Sequence, residues 1–249
     1  MPPQAAPLPE SRMSEAGRLV NVFLEPTAAF ADIAARPRPW VPLLLLIVFS
    51  IAYLSAFSSR VGWDRMMEQQ MERNPQVQNM SAEQRAKAAE MNARIGSVMG
   101  YVLPASPIVT IPFYVLIVAG VMTLIFRVIM TADVSFKQLF GITAYAFLPD
   151  LLFSAAAIGV MFLKSPDEFN MENPLAFNIG AFLDPDSTSR AAMSFASSID
   201  LFSFWKLALL ALGIAVAARK ISFRTALFGV TAPWLVWVVV KSGLAVLRG

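Results

Sequence analysis

The chain contains neither cysteine nor histidine, so its chemistry has to come from carboxylates, amines, guanidinium groups and hydroxyls. A thiolate nucleophile, a thiolate or imidazole metal site and the commonest general base are thereby excluded. Against that background Asp150 and Lys206 stand out, because each interrupts a long apolar run alone. Asp150 is the one charge between Lys137 and Lys164, and Lys206 the one between Asp200 and Arg219. An isolated charge near mid-bilayer costs at least about 2.5–3.5 kcal/mol. At about 1.5 Å per residue, Asp150 lies roughly 16 Å from the start of its run and Lys206 roughly 18 Å from the end of its own, on the same side. Two opposite charges at matching depth are expected to pair. The pair would act as a structural lock or as a proton- or substrate-linked site. A serine-lysine dyad built on Lys206 has no supporting motif, and no paired intramembrane carboxylates occur. The expectation is a protein without enzymatic activity, cofactor or metal.

The elements that must position this pair are helices in a membrane. Of 249 residues, 57% are hydrophobic and 15% charged, against roughly 45–50% and 25% in soluble domains. Charge-free or nearly charge-free runs are each about long enough for the ~20 residues that cross a bilayer as helix. Five spans are expected, at about 40–57, 98–125, 139–163, 201–218 and 226–247, in an all-α polytopic membrane protein. The second carries Pro104, Pro107 and Pro112 in its first half, which implies a kinked or irregular start, a feature of transporter sites. In the third, Pro149 precedes Asp150; its kink would aim the carboxylate inward, with the carbonyl it frees facing protein or trapped water.

Residues 1–13 carry four prolines and read as a disordered tail. Residues 14–39 read as two short amphipathic helices, with Ser14 as N-cap, Leu19 and Phe23 on one face, and Phe30 and Ile33 on the face that follows Pro26. They are expected to pack on the bundle's helix ends, to lie in the headgroup layer, or to do both. In the headgroup layer Phe23, Phe30, Ile33, Arg36, Arg38 and Trp40 would serve as interfacial anchors. A cleavable signal peptide of the usual layout is not expected, because the first apolar run starts only at Trp40 after a proline-rich stretch.

The long loop from Ser58 to about Gly96 reads as helical and extramembrane, broken at Asn74-Pro75 and restarted by a capping box at Ser81 and Gln84. Trp63, Met67 and Met71 share a face there, with Met66 beside it. Thioethers suit Cu(I), but without cysteine or histidine the stripe reads as packing. A second polar loop runs from Lys164 to Asp200. Basic residues in the short connections, Arg127, Lys137, Arg219, Lys220 and Arg224, place the N-terminus in the cytoplasm and both long loops outside. The net charge of +3 is too small and dispersed for nucleic acid and suits anionic lipid headgroups.

Two stretches resemble a known family. RLVNVFLEPTAAFADIAARPRPWVPLLLL, entering the first span, and VSFKQLFGITAYAFLP, in the third, are similar to bacterial members of the Yip family, the Ypt/Rab-interacting proteins. The five-span plan matches along nearly the whole chain. The local signature is Tyr145 to Pro149, YAFLP, which resembles the family's tyrosine, small residue, two variable residues, proline pattern. The resemblance implies an all-helical bundle, a cytoplasmic N-terminus and a non-enzymatic role. Eukaryotic members contact prenylated small GTPases, each other and membrane-shaping proteins. The family's aspartate-leucine-tyrosine-glycine-proline motif is not found before the first span, so small-GTPase binding is not carried over.

The function expected is a membrane scaffold or adaptor of the Yip type. Its partners would be the lipid bilayer and other membrane proteins, including further copies of itself as a homo-oligomer. The alternative is a transporter or transporter subunit that uses Asp150 and Lys206. The location expected is a cell membrane, the bacterial inner membrane.

Overall fold

The structure, a computed structural model, describes residues 13–72, 80–171, 173–184 and 187–246. The expected tail therefore falls almost wholly outside the described residues, as do Asn74-Pro75 and the side chain of Met71. Among the described residues the secondary structure is helical and no sheet strand occurs. Helices α1 (Glu15–Leu24) and α2 (Pro26–Ala35) form a hairpin before α3 (Trp40–Arg60). Then come α4 (Trp63–Glu72), α5 (Ala82–Ala105), α6 (Pro107–Met122) with a π-helical end at Thr123–Ile129, α7 (Phe136–Ala146), α8 (Pro149–Leu163), α9 (Arg190–Ser198), α10 (Leu201–Ala217) and α11 (Phe223–Val246).

Among the described residues four segments are long and apolar enough to cross a membrane: Trp40–Arg60, Pro107–Ile129, Phe136–Leu163 and Phe223–Val246. The apolar helix Leu201–Ala217 is shorter; its 17 residues reach about 25 Å. The chain is a polytopic α-helical membrane protein.

Prolines explain where the long segments divide. Pro107 has no N–H to offer the carbonyl of Leu103, which accepts instead from the backbone N–H of Ser106 at 3.1 Å and from its hydroxyl at 2.7 Å. The chain breaks there, so the apolar span begins at Pro107, and residues 98–105 belong to the helix that carries the first loop. Pro149 acts likewise between α7 and α8. The carbonyl of Tyr145, which Pro149 cannot serve, accepts from the N–H of Leu148 at 3.2 Å, so a tightened turn satisfies it.

The core lies where α2, α7 and α10 converge. Phe30 and Ile33 of α2, Leu139, Ile142 and Tyr145 of α7, and Leu210 and Ile214 of α10 are all buried in one cluster. Gly213 lets these helices approach: a Cβ there would lie 2.4 Å from Cγ2 of Ile142 and 2.9 Å from the ring of Phe30. The buried face of α1 is formed by Arg18 and Val22, one residue short of the Leu19 and Phe23 stripe read from the sequence; those two flank it, half-buried.

At the opposite end the two long connections meet. Phe57, Val61 and Trp63 cluster with Met161 and Phe169, and Met66 packs against them, so that methionine fills space. The connection after α8 also dips inward. Leu175 clusters with Ala157 and Phe202, and Ala157 lies six residues, or about 9 Å, inside the loop end of α8. The N–H of Leu201 donates to the carbonyl of Phe177 at 3.0 Å, and that of Ile179 to Ile199 at 3.3 Å. Non-helical chain thus occupies the depth that a longer α10 would have filled. Such backbone is tolerated at membrane depth where protein or a cavity surrounds it.

Candidate functional site: two polar networks either side of a helix break

The break at Phe147 and Leu148 separates two charged arrangements only five residues apart in sequence. On the α7 side stands Tyr145, fully buried. Its hydroxyl donates to Glu15 Oε2 at 2.7 Å. Glu15 Oε1 accepts from Arg18 Nη1 at 3.3 Å, and Arg18 Nε donates to Asp32 Oδ2 at 2.6 Å. Asp32 also pairs with Arg36, and Arg38 approaches Glu15 at 3.8 Å. Gln138, after capping α7 through Ser135, donates from Nε2 to the carbonyl of Ala34 at 3.1 Å. Arg18 is 1% exposed. Burial disfavours its charge, but hydrogen bonds to Asp32 and the nearby tyrosine hold its pKa above the ordinary arginine value. Burial likewise opposes ionisation of Asp32, yet the bonds from Arg36 and Arg18 keep its carboxyl below the usual value. Both groups stay charged, and the network fastens the N-terminal hairpin to the bundle.

On the α8 side Asp150 and Lys206 meet. Lys206 Nζ lies 2.8 Å from Asp150 Oδ1, and the two side chains are 24% and 35% exposed. Placing Asp150 in the first turn of α8, directly after the break, turns its carboxylate toward α10. Lys206 Nζ also sits 5.6 Å from the ring centroid of Phe147, over its face. That contact adds a cation–π attraction at the break itself. The ring of Tyr114 on α6 stands 5.5 Å from that of Phe147.

The pair floors a cleft of about 220 Å³, room for roughly seven waters at ~30 Å³ each. Its walls come from α8, α10 and the inward-dipping connection, including Phe153, Phe177, Asn178, Asp200 and Ser203. Asp200 caps α10 by accepting from the N–H of Ser203 at 2.9 Å.

The structure therefore brings Asp150 and Lys206 together and ties Tyr145 to the N-terminal hairpin. Of the residues expected as interfacial anchors, Phe30 and Ile33 are fully buried and contact protein rather than lipid, because α2 lies against α7 and α10. Phe23 is half-buried, its ring 5.5 Å from that of Trp205 and nearly perpendicular to it. Arg36 is occupied by Asp32, while Arg38 and Trp40 point outward, Trp40 being 74% exposed. Glu15, Arg18 and Asp32 are the functional residues the sequence reading missed. The available signal was that Arg18 shares a helical face with Val22 and stands three residues after Glu15. Among the described residues no group of three or more acidic side chains is arranged to hold a metal.

A helical membrane bundle with a proline-broken third span and an N-terminal hairpin locked to it is the class defined here. A family model described as Yip1 domain matches residues 20–243, and the chain belongs to that family. Neither the curated proteins nor the solved structures contain a match to the chain.

Proposed function

We propose that the protein is a non-enzymatic scaffold or adaptor of the Yip type, with its N-terminus in the cytoplasm of a bacterial cell and five spans in the inner membrane. The observation that carries this reading is the docked N-terminal hairpin. Its inner face is fixed to the bundle, and its outer face presents Val20 and Leu24, 54% and 73% exposed; Arg38 and Trp40, before and at the start of α3, are exposed as well. Exposed apolar side chains on a fixed hairpin, followed by an exposed cation and indole where the first span begins, suit the headgroup layer or a neighbouring membrane protein. The test is a photo-crosslinking amino acid at Leu24 in the cell, with buried Phe30 as control. The reading requires a discrete protein or lipid adduct from Leu24 alone; adducts from neither position, together with gradient-driven uptake by purified protein in liposomes, would overturn it.

A second reading, a transporter or transporter subunit, is favoured by one observation: the intramembrane pair opens to a cleft walled by non-helical chain and by a helix that starts beside it. Transport sites combine these features. Flux in liposomes that disappears in Asp150→Asn while the protein stays folded would support this reading over the first.

A further inference from the structure

We propose that a second cleft, at the end of the bundle where α2 and α10 stop, binds a phosphate ester anion, carried by a phospholipid headgroup or by a soluble molecule. This deepens the scaffold reading by giving one partner a chemical class, through residues that the hairpin's outer face does not include.

First, the charges at the cleft are uncommitted. Arg219, Lys220 and Asp133 line it, and all three are exposed. None of their side chains forms an ion pair or a hydrogen bond among the described residues. The connections that bring them here, 127–137 and 219–224, hold the cations Arg127, Lys137, Arg219, Lys220 and Arg224 against the single carboxylate of Asp133. Arg36, at the end of α2, is engaged by Asp32. The chain has no acidic residue after Asp200, so nothing in α11 offsets the excess. An anion is what this rim lacks. Arginine beside lysine suits phosphate, the guanidinium as a planar fork and the ammonium as a compact charge.

Second, two carbonyls that would repel an anion are engaged. α2 and α10 both end at the cleft, and a helix C-terminus carries partial negative charge. The carbonyl of Ala34 accepts from Gln138 Nε2 at 3.1 Å, and that of Ala218 from the N–H of Ile221 at 3.2 Å. Cations after a helix end ordinarily complement its dipole, a role that needs no cavity beside them.

Third, size and depth fit. Ala31, Ala34 and Ala35 of α2, with Ala217 and Ala218, line the rest of the cleft, and side chains this small leave about 450 Å³. That lies within the ~300–1,000 Å³ of small-molecule sites. The membrane-crossing segments stop beside it. Pro107–Ile129 ends four residues before Asp133, Phe136–Leu163 begins two before Gln138, and Phe223–Val246 begins three after Lys220. The rim therefore lies at the bilayer boundary, the depth of lipid phosphates, where basic pockets between spans hold anionic headgroups.

The experiment titrates the full chain in neutral detergent with phosphatidylglycerol, or with uncharged diacylglycerol, and counts retained lipid by native mass spectrometry. Expected is saturable retention of phosphatidylglycerol and none of diacylglycerol. Arg219→Gln combined with Lys220→Gln should weaken retention by about tenfold or more. Ala31→Leu, at an exposed position, fills the floor with every charge kept and should weaken it too, which keeps the test available if the charge variant does not fold. Arg127→Gln combined with Arg224→Gln removes two charges from the same end outside the cleft and should change retention little. Inorganic phosphate, added at fixed ionic strength, separates the sources: displacement of the lipid assigns the site to a soluble phosphate, and continued retention assigns it to the headgroup. Phosphatidylglycerol that binds no better than diacylglycerol, that binds the folded Arg219 and Lys220 variant as well as the parent, or that weakens equally in both charge pairs overturns the proposal. The Leu24 crosslink is scored separately, so either reading can fail alone.

Discussion

The two charged networks flanking the break in the third span differ in one respect that decides what each does. The Glu15–Arg18–Asp32–Tyr145 network is many-partnered and centred on buried groups: its arginine is 1% exposed and its tyrosine fully buried, with Glu15 at its edge 31% exposed. The Asp150–Lys206 pair has one charge on each side and is about one-quarter to one-third exposed, at the floor of a cleft. A buried, multiply bonded cluster resists change because removing any member strands a charge in low dielectric. A partly exposed pair can exchange partners with water or a ligand at smaller cost. The same helix therefore carries a clamp at the end of α7 and an accessible site at the start of α8.

Removing the centre of the clamp separates the two most sharply. Arg18→Met leaves Asp32 and Glu15 without their shared partner and is expected to cost about 3–5 kcal/mol. Unfolding in mild detergent should fall by that amount, and protease cleavage should appear within residues 14–38. A variant as stable as the parent would mean that the hairpin is held by Phe30 and Ile33 alone.

Tyr145→Phe deletes only the hydroxyl that binds Glu15 at 2.7 Å, leaving the ring in the core. A hydrogen bond to a charged acceptor contributes about 1.5–3 kcal/mol, so the loss is smaller than for Arg18 but of the same kind, with earlier release of the hairpin. On the other side of the break, Asp150→Asn and Lys206→Met should each cost about 1–2 kcal/mol, between the values for exposed and buried pairs, without freeing the hairpin. The exchange Asp150→Lys with Lys206→Asp should recover that stability. Single variants that release the hairpin would erase the distinction between the networks.

Acid gives the smallest and most selective effect. Because the folded state holds the Asp32 carboxyl below its ordinary value of 3.8, its contribution is fully present above that pH and is lost as pH falls through the lower, folded pKa. Hairpin protection measured by proton exchange should be constant at neutral and mildly acidic pH and decline only below about pH 4. Arg18, whose pKa is raised, contributes no transition in that range. A decline that begins near neutrality would contradict the ionic account of the clamp.

The class of fold was legible because charge-free runs report the bilayer directly, and Asp150 and Lys206 were legible because a charge in such a run has few alternatives to a partner. Other features were not. Ser106 and Leu148 take over carbonyls that prolines cannot serve, a local rearrangement that, at Pro107, moves the start of the second span but leaves no mark in an apolar pattern. Phe30 and Ile33 have the periodicity of an amphipathic helix, and that pattern is the same whether protein or lipid covers the face; the decision lies with α7 and α10, and with Gly213, which lets them close. The clamp escaped notice because Arg18, Asp32 and Tyr145 are scattered over more than a hundred residues of an otherwise ordinary charge distribution. The cleft needed the inward path of the loop after α8, which turn signals locate but do not aim.

The absence of cysteine makes a direct test available. Ser203→Cys places a thiol in the cleft wall beside Asp200, and Thr143→Cys places one in the wholly buried face of α7 behind the clamp. Each variant, folded in sealed vesicles, is treated from the loop side with a membrane-impermeant cationic methanethiosulfonate. The two-network account predicts rapid modification at 203 and none at 143 until the protein is unfolded. Equal protection of both thiols would show a closed site in which Asp150 and Lys206 form a second structural lock, and the distinction drawn here would fall.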